Sequence, residues 1–178
     1  MNTSEALQRF KDTAFYYLRE LDHFSMEQLK WKTSEDEWSI GQMYQHLINS
    51  ALYMHLRNIE SCIIMKDSLA DVAEKTREGA EIFEHGGFPP IRIKVPPSPK
   101  YTPQQPESQE QLIHGLNIVI HRMEDTEPKL EKIPNEHVVL HPKFGALNAK
   151  EWFLLIEMHY RHHLLQLDRL KKHIEREE

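Results

Sequence analysis

Four places in this chain carry the signature of a helix start, each followed by apolar residues at helical spacing. They are Ser25-Met-Glu-Gln28, Ser39-Ile-Gly-Gln42, Ser108-Gln-Glu-Gln111 and Asn148-Ala-Lys-Glu151, which fit the capping box or its Asn variant. In such a box the first side chain accepts from a free backbone N–H of the first turn, and the fourth reaches back to the cap.

The apolar periods extend these starts into long helices. A first helix is expected from about Ser4 into the twenties, on Leu7, Phe10, Ala14, Tyr17, Leu18 and Leu21. A short helical turn should follow near Met26 to Trp31. A second helix is expected from Ser39 to Lys66, with Met43, His46, Leu47, Ser50, Tyr53, Met54 and Arg57 along one side. The charged stretch from Asp67 to Phe83 suits a separate short helix, ended by Gly86-Gly87. A third helix should run from Ser108 to about Glu127, on Leu112, Leu116, Val119, Ile120 and Met123, and stop at Pro128. The last should run from Asn148 to about Lys172. Its inner stripe is Trp152, Leu155, Ile156, His159, His163, Gln166, Leu167 and Leu170.

Two long connections interrupt the pattern. Residues 88–106 hold seven of the ten prolines, which rules out regular helix there. Ile91, Ile93 and Val95 alternate with Arg92 and Lys94, which suggests a brief extended stretch packing one face. A loop of this length either covers a site, makes a contact or is a plain surface excursion. Residues 128–147 form the second connection, broken by Pro134, Pro142 and Gly145. Four long amphipathic helices with crossover-length connections describe an all-α four-helix bundle, one domain over residues 1–178, with the Pro-rich connection before the third helix.

Composition limits the function classes. The net charge is −6 with scattered basic residues, so no nucleic-acid partner is expected. The apolar runs are far too short for a membrane span, and the N-terminus has no apolar signal segment. Cys62 is the single cysteine, which excludes an intrachain disulfide and fits a reducing, cytoplasmic setting.

The histidines are the candidate chemistry. His159 and His163 lie four apart, so both project from one helix face, one turn apart. His46 points inward by its own helix period. Three imidazoles would hold a divalent transition metal such as zinc or nickel in preference to magnesium or calcium, with a coordination position left open. Spacing alone is weak support. Twelve histidines at random positions supply about one pair four apart by chance. His137 and His141 are such a second pair, in a segment bracketed by prolines. Position is the stronger signal, because His159 and His163 replace aliphatic residues in an apolar stripe, where unpartnered imidazoles cost free energy. Satisfied core histidines remain the alternative.

The surrounding residues rank below these. His162 borders the stripe, as a neighbour of the ligands or a half-exposed helix residue. Gln166 is placed to orient a ligand or a water, or else is a partly exposed polar residue near the bundle end. His55 lies well off the direction of His46. Glu157 and Asp168 fall on the outer face of the last helix, which makes them poor general bases. Cys62 reads as buried helix. The chain has no Gly-rich phosphate loop, nucleophile elbow or CxxC.

Three segments resemble the DinB-like superfamily. Glu37-Trp38-Ser39-Ile40-Gly41-Gln42-Met43-Tyr44-Gln45-His46-Leu47 is similar to its second-helix signature, a tryptophan with a histidine eight positions on. The stretch from His141 through Phe144, Asn148 and Trp152 resembles its lead-in to the last helix. Met158 to Leu167 resembles its closing His-x-x-x-His segment with a trailing glutamine. The resemblance implies an up-down-down-up bundle, usually dimeric, with nickel or zinc bound by His46, His159 and His163. Trp38, Trp152, His162 and Gln166 are then expected beside the site. Similar proteins include bacillithiol and mycothiol S-transferases and a mycothiol-dependent maleylpyruvate isomerase. The resemblance therefore points to activation of a low-molecular-weight thiol toward an electrophile. Metal-assisted hydrolysis and a non-catalytic, metal-stabilised stress-response module are the alternatives.

Overall fold

The computed structural model describes residues 2–66 and 73–177. Its helices are α1 (Thr3–Leu21), α2 (Met26–Lys30), α3 (Ile40–Ser50), α4 (Leu56–Ile64), α5 (Arg77–His85), α6 (Gln109–Thr126) and α7 (Ala149–Glu177). The expected caps form. Ser25 with Gln28, Ser39 with Gln42, and Asn148 with Glu151 each bond reciprocally. Ser108 accepts from the Gln111 amide, but Gln111 reaches back one residue further, to the Glu107 amide at 2.8 Å. An additional box, Asn2 with Glu5, starts α1.

Tertiary packing follows the apolar stripes. α7 lies against α1 on one side and against α3 and α4 on the other, and α6 closes the ring between α1 and α3. A chain of aromatic rings crosses the centre. Tyr17 meets Tyr44 at 5.4 Å and Tyr160 at 6.0 Å between centroids, and Phe10 meets Tyr160 at 4.9 Å. The Tyr17 hydroxyl donates to the Tyr160 carbonyl and the Tyr44 hydroxyl to the Tyr17 carbonyl, both at 2.8 Å. Burying each ring stabilises the fold by about 1.5–3 kcal/mol. The Tyr17 and Tyr44 hydroxyl bonds avoid the cost of unpaired polar groups, whereas the buried Tyr160 hydroxyl has no partner among the described residues. The Tyr17 and Tyr44 bonds also fix the height of α7 beside His159.

The second long helix is not one regular element. Ala51–His55 is a π-helical turn between α3 and α4, with the Leu56 amide donating to the Ala51 carbonyl five residues back. Each residue of the wider turn advances less around the axis, so the face presented downstream shifts. Tyr53 and Arg57, expected inward, are exposed, and Tyr53 is 70% accessible. His55, Leu56, Ile59 and Cys62 are buried instead.

The two connections also differ from expectation. Residues 128–147 include a 3-10 turn, Glu127–Lys132, and an antiparallel hairpin of β1 (Val138–His141) and β2 (Gly145–Asn148), with Val139 opposite Leu147. The fold is helical apart from this small sheet among the described residues. Thr76 and Ala146 amides donate to the Phe144 and Glu74 carbonyls, both at 3.0 Å, which ties the hairpin to the start of α5. α5 itself ends at Gly86 in the left-handed conformation, φ 68°, where the expected glycine stop lies. Of the expected helix over Asp67 to Phe83, residues 67–72 lie outside the described residues.

Residues 88–106 carry no regular element, as their prolines require. Ile91, Ile93 and Val95 stay exposed and do not pack into the core. The polar side of this stretch is anchored, since both Arg92 and Lys94 pair with Glu37. Its end is stapled to the start of α3. The Ser39 hydroxyl donates to Gln105 Oε1 at 2.7 Å and Gln42 Nε2 to the Pro103 carbonyl at 2.9 Å. Among the described residues, no helix is long and apolar enough to cross a membrane.

Candidate metal centre

Ser39 caps α3 and sets His46 two turns along it, while Asn148 caps α7 and sets His159 and His163 on its inner face. The three rings meet. His46 Nε2 lies 2.9 Å from His159 Nε2, and His163 Nε2 lies 3.1 Å from the same atom. The three ligand atoms all fall within 4.8 Å of one another.

The outer ring nitrogens show which way the lone pairs point. His163 Nδ1 lies 2.7 Å from Gln166 Oε1. An amide oxygen only accepts, so Nδ1 carries the proton and Nε2 presents its lone pair inward. His46 Nδ1 lies 3.5 Å from the Ser50 hydroxyl, which both donates and accepts and so does not set that ring's tautomer. His159 Nδ1 is buried without a partner among the described residues.

All three rings are held neutral. Burial pushes His46 down to about 3, with the nearby His163 and His55 adding to it. Burial likewise holds His163 at about 4, against the upward pull of its Gln166 bond. His159 is held well below the usual histidine value by burial and then by the surrounding histidines.

This donor set fits a divalent transition metal. One nitrogen, His159 Nε2, faces two others and has a single proton or lone pair to share, so imidazoles alone leave the cluster under-satisfied. A bound ion would accept all three lone pairs together. Nitrogens bonded to zinc at about 2.0–2.1 Å stand roughly 2.9 Å apart at a right angle and roughly 3.3 Å apart at the tetrahedral angle. Two of the three separations, 2.9 and 3.1 Å, fall in that span, and the third pair, His46 and His163, lies within 4.8 Å.

The histidines form the floor of a cleft of about 540 Å³. Trp38 packs against His46 with its ring tilted by 52°, at 4.9 Å between centroids. Phe88, from the Pro-rich segment, lies 5.4 Å from His162 and 5.7 Å from Phe144, which stands in the hairpin turn. His162 therefore lines the cleft wall beside His163, and Gln166 lines it while holding His163. Trp152, also expected at the site, is fully buried and does not reach the cleft. It packs beneath, 5.9 Å from the His55 ring and 5.3 Å from the His141 ring.

Three residues depart from the sequence-based expectation. His55 joins the site, because the π-helical turn brings it to 5.6 Å from His159; it is 4% exposed, and its Nδ1 lacks a partner among the described residues. His141, at the end of β1, lines the cleft and stacks on Phe144 at 4.4 Å. Glu157, expected on the outer face, is 1% exposed. It accepts two bonds from Arg161, at 2.8 and 3.0 Å, and Arg161 in turn donates to the Gly86 carbonyl at 2.6 Å. That carboxylate serves the α5–α7 junction. Asp168 remains exposed, paired to Lys172. No sequence signal marked the π-helical turn.

The carboxylates at the cleft are Asp36 and Glu37. Burial raises the Glu37 carboxyl, but bonds and charges from Arg92 and Lys94 outweigh it and leave the pKa below the usual carboxylate value. Cys62 is buried away from the cleft, its thiol pushed up to about 11 by burial.

A family model of the DinB superfamily matches residues 8–167. The chain is also 25% identical over 167 residues to "Uncharacterized protein YuaE" of Bacillus subtilis (strain 168), covering 94% of this chain and 98% of the relative. No solved structure gives a significant match. With the caps, the helical packing and the three-histidine cluster in place, the family match extends over most of the chain, which belongs to the DinB superfamily.

Proposed function

We propose that this protein is a divalent-metal-dependent transferase that activates a low-molecular-weight thiol at His46, His159 and His163. The observation that carries this reading is the convergence of three neutral imidazoles on the floor of an open, largely apolar cleft. Nickel or zinc, when bound there, would lower the pKa of a coordinated thiol. The chain's own residues do the rest. Gln166 holds the His163 tautomer, Trp38 fixes the face of His46, and the aromatic walls exclude water around an electrophile. In the transfer, the thiol proton leaves to solvent through the cleft mouth. The sulfur's electron pair forms the new C–S bond, and the leaving group departs with its own pair. The up-down-down-up helix order, a homodimer and a cytoplasmic setting belong to the same reading and rest on the family resemblance.

Hydrolysis by metal-bound water is the second reading, supported by Asp36 and Glu37 at the cleft. It is weakened because Glu37 is already engaged by Arg92 and Lys94. A metal-stabilised module without catalysis is the third. Conjugation of bacillithiol, mycothiol and glutathione to a reactive electrophile, with and without chelator, tests the proposal. A metal-dependent rate with at least one thiol is expected. No such rate with any of them removes the transferase reading, and a panel of esters and amides then decides between hydrolase and module.

A further inference from the structure

The charge of the cleft is opposite to that of the chain. Four cationic and two anionic residues line it, a net of +2 in a protein of net charge −6. Three of the cations are engaged: Arg92 and Lys94 by Glu37, and Lys143 by Glu78 at 3.5 Å. Arg169 has no ion-pair partner among the described residues. It stands on α7 six residues beyond His163, roughly 9 Å further along the helix axis, at the same cleft. Its guanidinium is half-buried and is pushed downward by that burial and then by Arg92, with Glu37 opposing. The anion acting on it, Glu37, is already paired to Arg92 and Lys94, so Arg169 is under-satisfied and an anionic group on a ligand would relieve it. The same cleft is also lined by apolar side chains, among them Leu165, Ile91 and Trp38.

We propose that the substrate held at this site carries a carboxylate, bound by Arg169, at the opposite end of an apolar segment from the atom that meets the three histidines. Arg169 is then a specificity-determining residue, and Arg92, tied in place by Glu37, adds charge beside it. The inference builds on the reading of the cleft as a metal-dependent thiol site, but names the class of substrate.

The test separates the two. Cobalt-loaded protein is titrated with 3-mercaptopropionate and with 2-mercaptoethanol, reading the sulfur-to-metal absorption band. It is titrated in parallel with phenylacetate and phenylacetamide, followed by calorimetry. The acid of each pair should bind about tenfold more tightly, as expected for a charge-assisted bond. Arg169→Gln and Arg169→Glu should abolish that preference, and Arg169→Lys should keep part of it, all with unchanged metal content. Equal binding of acid and neutral ligands by the unaltered protein overturns the inference, as does a preference that survives Arg169→Gln. If neither thiol gives a band, the thiol reading fails alone. An Arg169-dependent preference for phenylacetate over phenylacetamide would still support the carboxylate site.

Discussion

Gln166 Oε1 lies 2.7 Å from His163 Nδ1, one turn along the same helix, and thereby decides which nitrogen of His163 faces the cluster. A histidine without such a partner can swap tautomers and present an N–H where a lone pair is needed. Gln166→Leu should weaken metal affinity by about 10–100-fold with little loss of helix content. Gln166→Glu, which keeps an acceptor, should retain most of it. Competition with a chromophoric chelator measures both, and unchanged affinity in Gln166→Leu would remove the orienting role.

The metal-free protein should lose stability as pH falls below about 6.5. In the unfolded chain histidine titrates near that value. In the fold, burial and then His141 hold His55 at about 3, and burial and then Lys143 hold His141 at about 4. Between these values the unfolded state binds more protons, so stability rises with pH there and is fully present above the unfolded pKa. His55 alone contributes a slope of roughly 1.4 kcal/mol per pH unit in that window. Thermal denaturation of metal-free protein between about pH 7 and pH 5 should show a falling Tm, and His55→Leu should flatten the fall. A Tm profile equally steep in the variant contradicts the assignment.

Much of this arrangement was legible in the sequence. Ser39 and Asn148 placed both helix starts, and the apolar stripes placed His46, His159 and His163 inside. The physical reason is that caps and helical periods are local. His55 was not legible, because one π-helical turn between Ala51 and His55 changes which face the downstream residues present. Glu157 was misplaced because its burial depends on Arg161 reaching Gly86, a contact 75 residues distant. The hairpin was missed because four-residue strands flanked by prolines carry too short an alternation. Two of the cleft's cations, Arg92 and Lys94, come from the Pro-rich segment, whose path depends on ion pairs to Glu37.

Gly41 should be a sensitive position, since it lets the end of the Pro-rich segment lie against α3. A Cβ there would stand 2.5 Å from Pro106 Cγ and 2.8 Å from the Leu29 carbonyl oxygen. Gly41→Ala should cost about 1–3 kcal/mol through overpacking and should hasten limited proteolysis within residues 88–106. Chemical denaturation measures the first effect. Stability equal to the unaltered protein would contradict this packing.

His46, His159 and His163 should hold one ion together. Elemental analysis after equilibrium dialysis against zinc or nickel, for the unaltered protein and for His46→Ala, His159→Ala and His163→Ala, tests it most directly. About one divalent ion per chain is expected in the unaltered protein, with near-complete loss in each folded variant. Metal content unchanged in the three variants would contradict it.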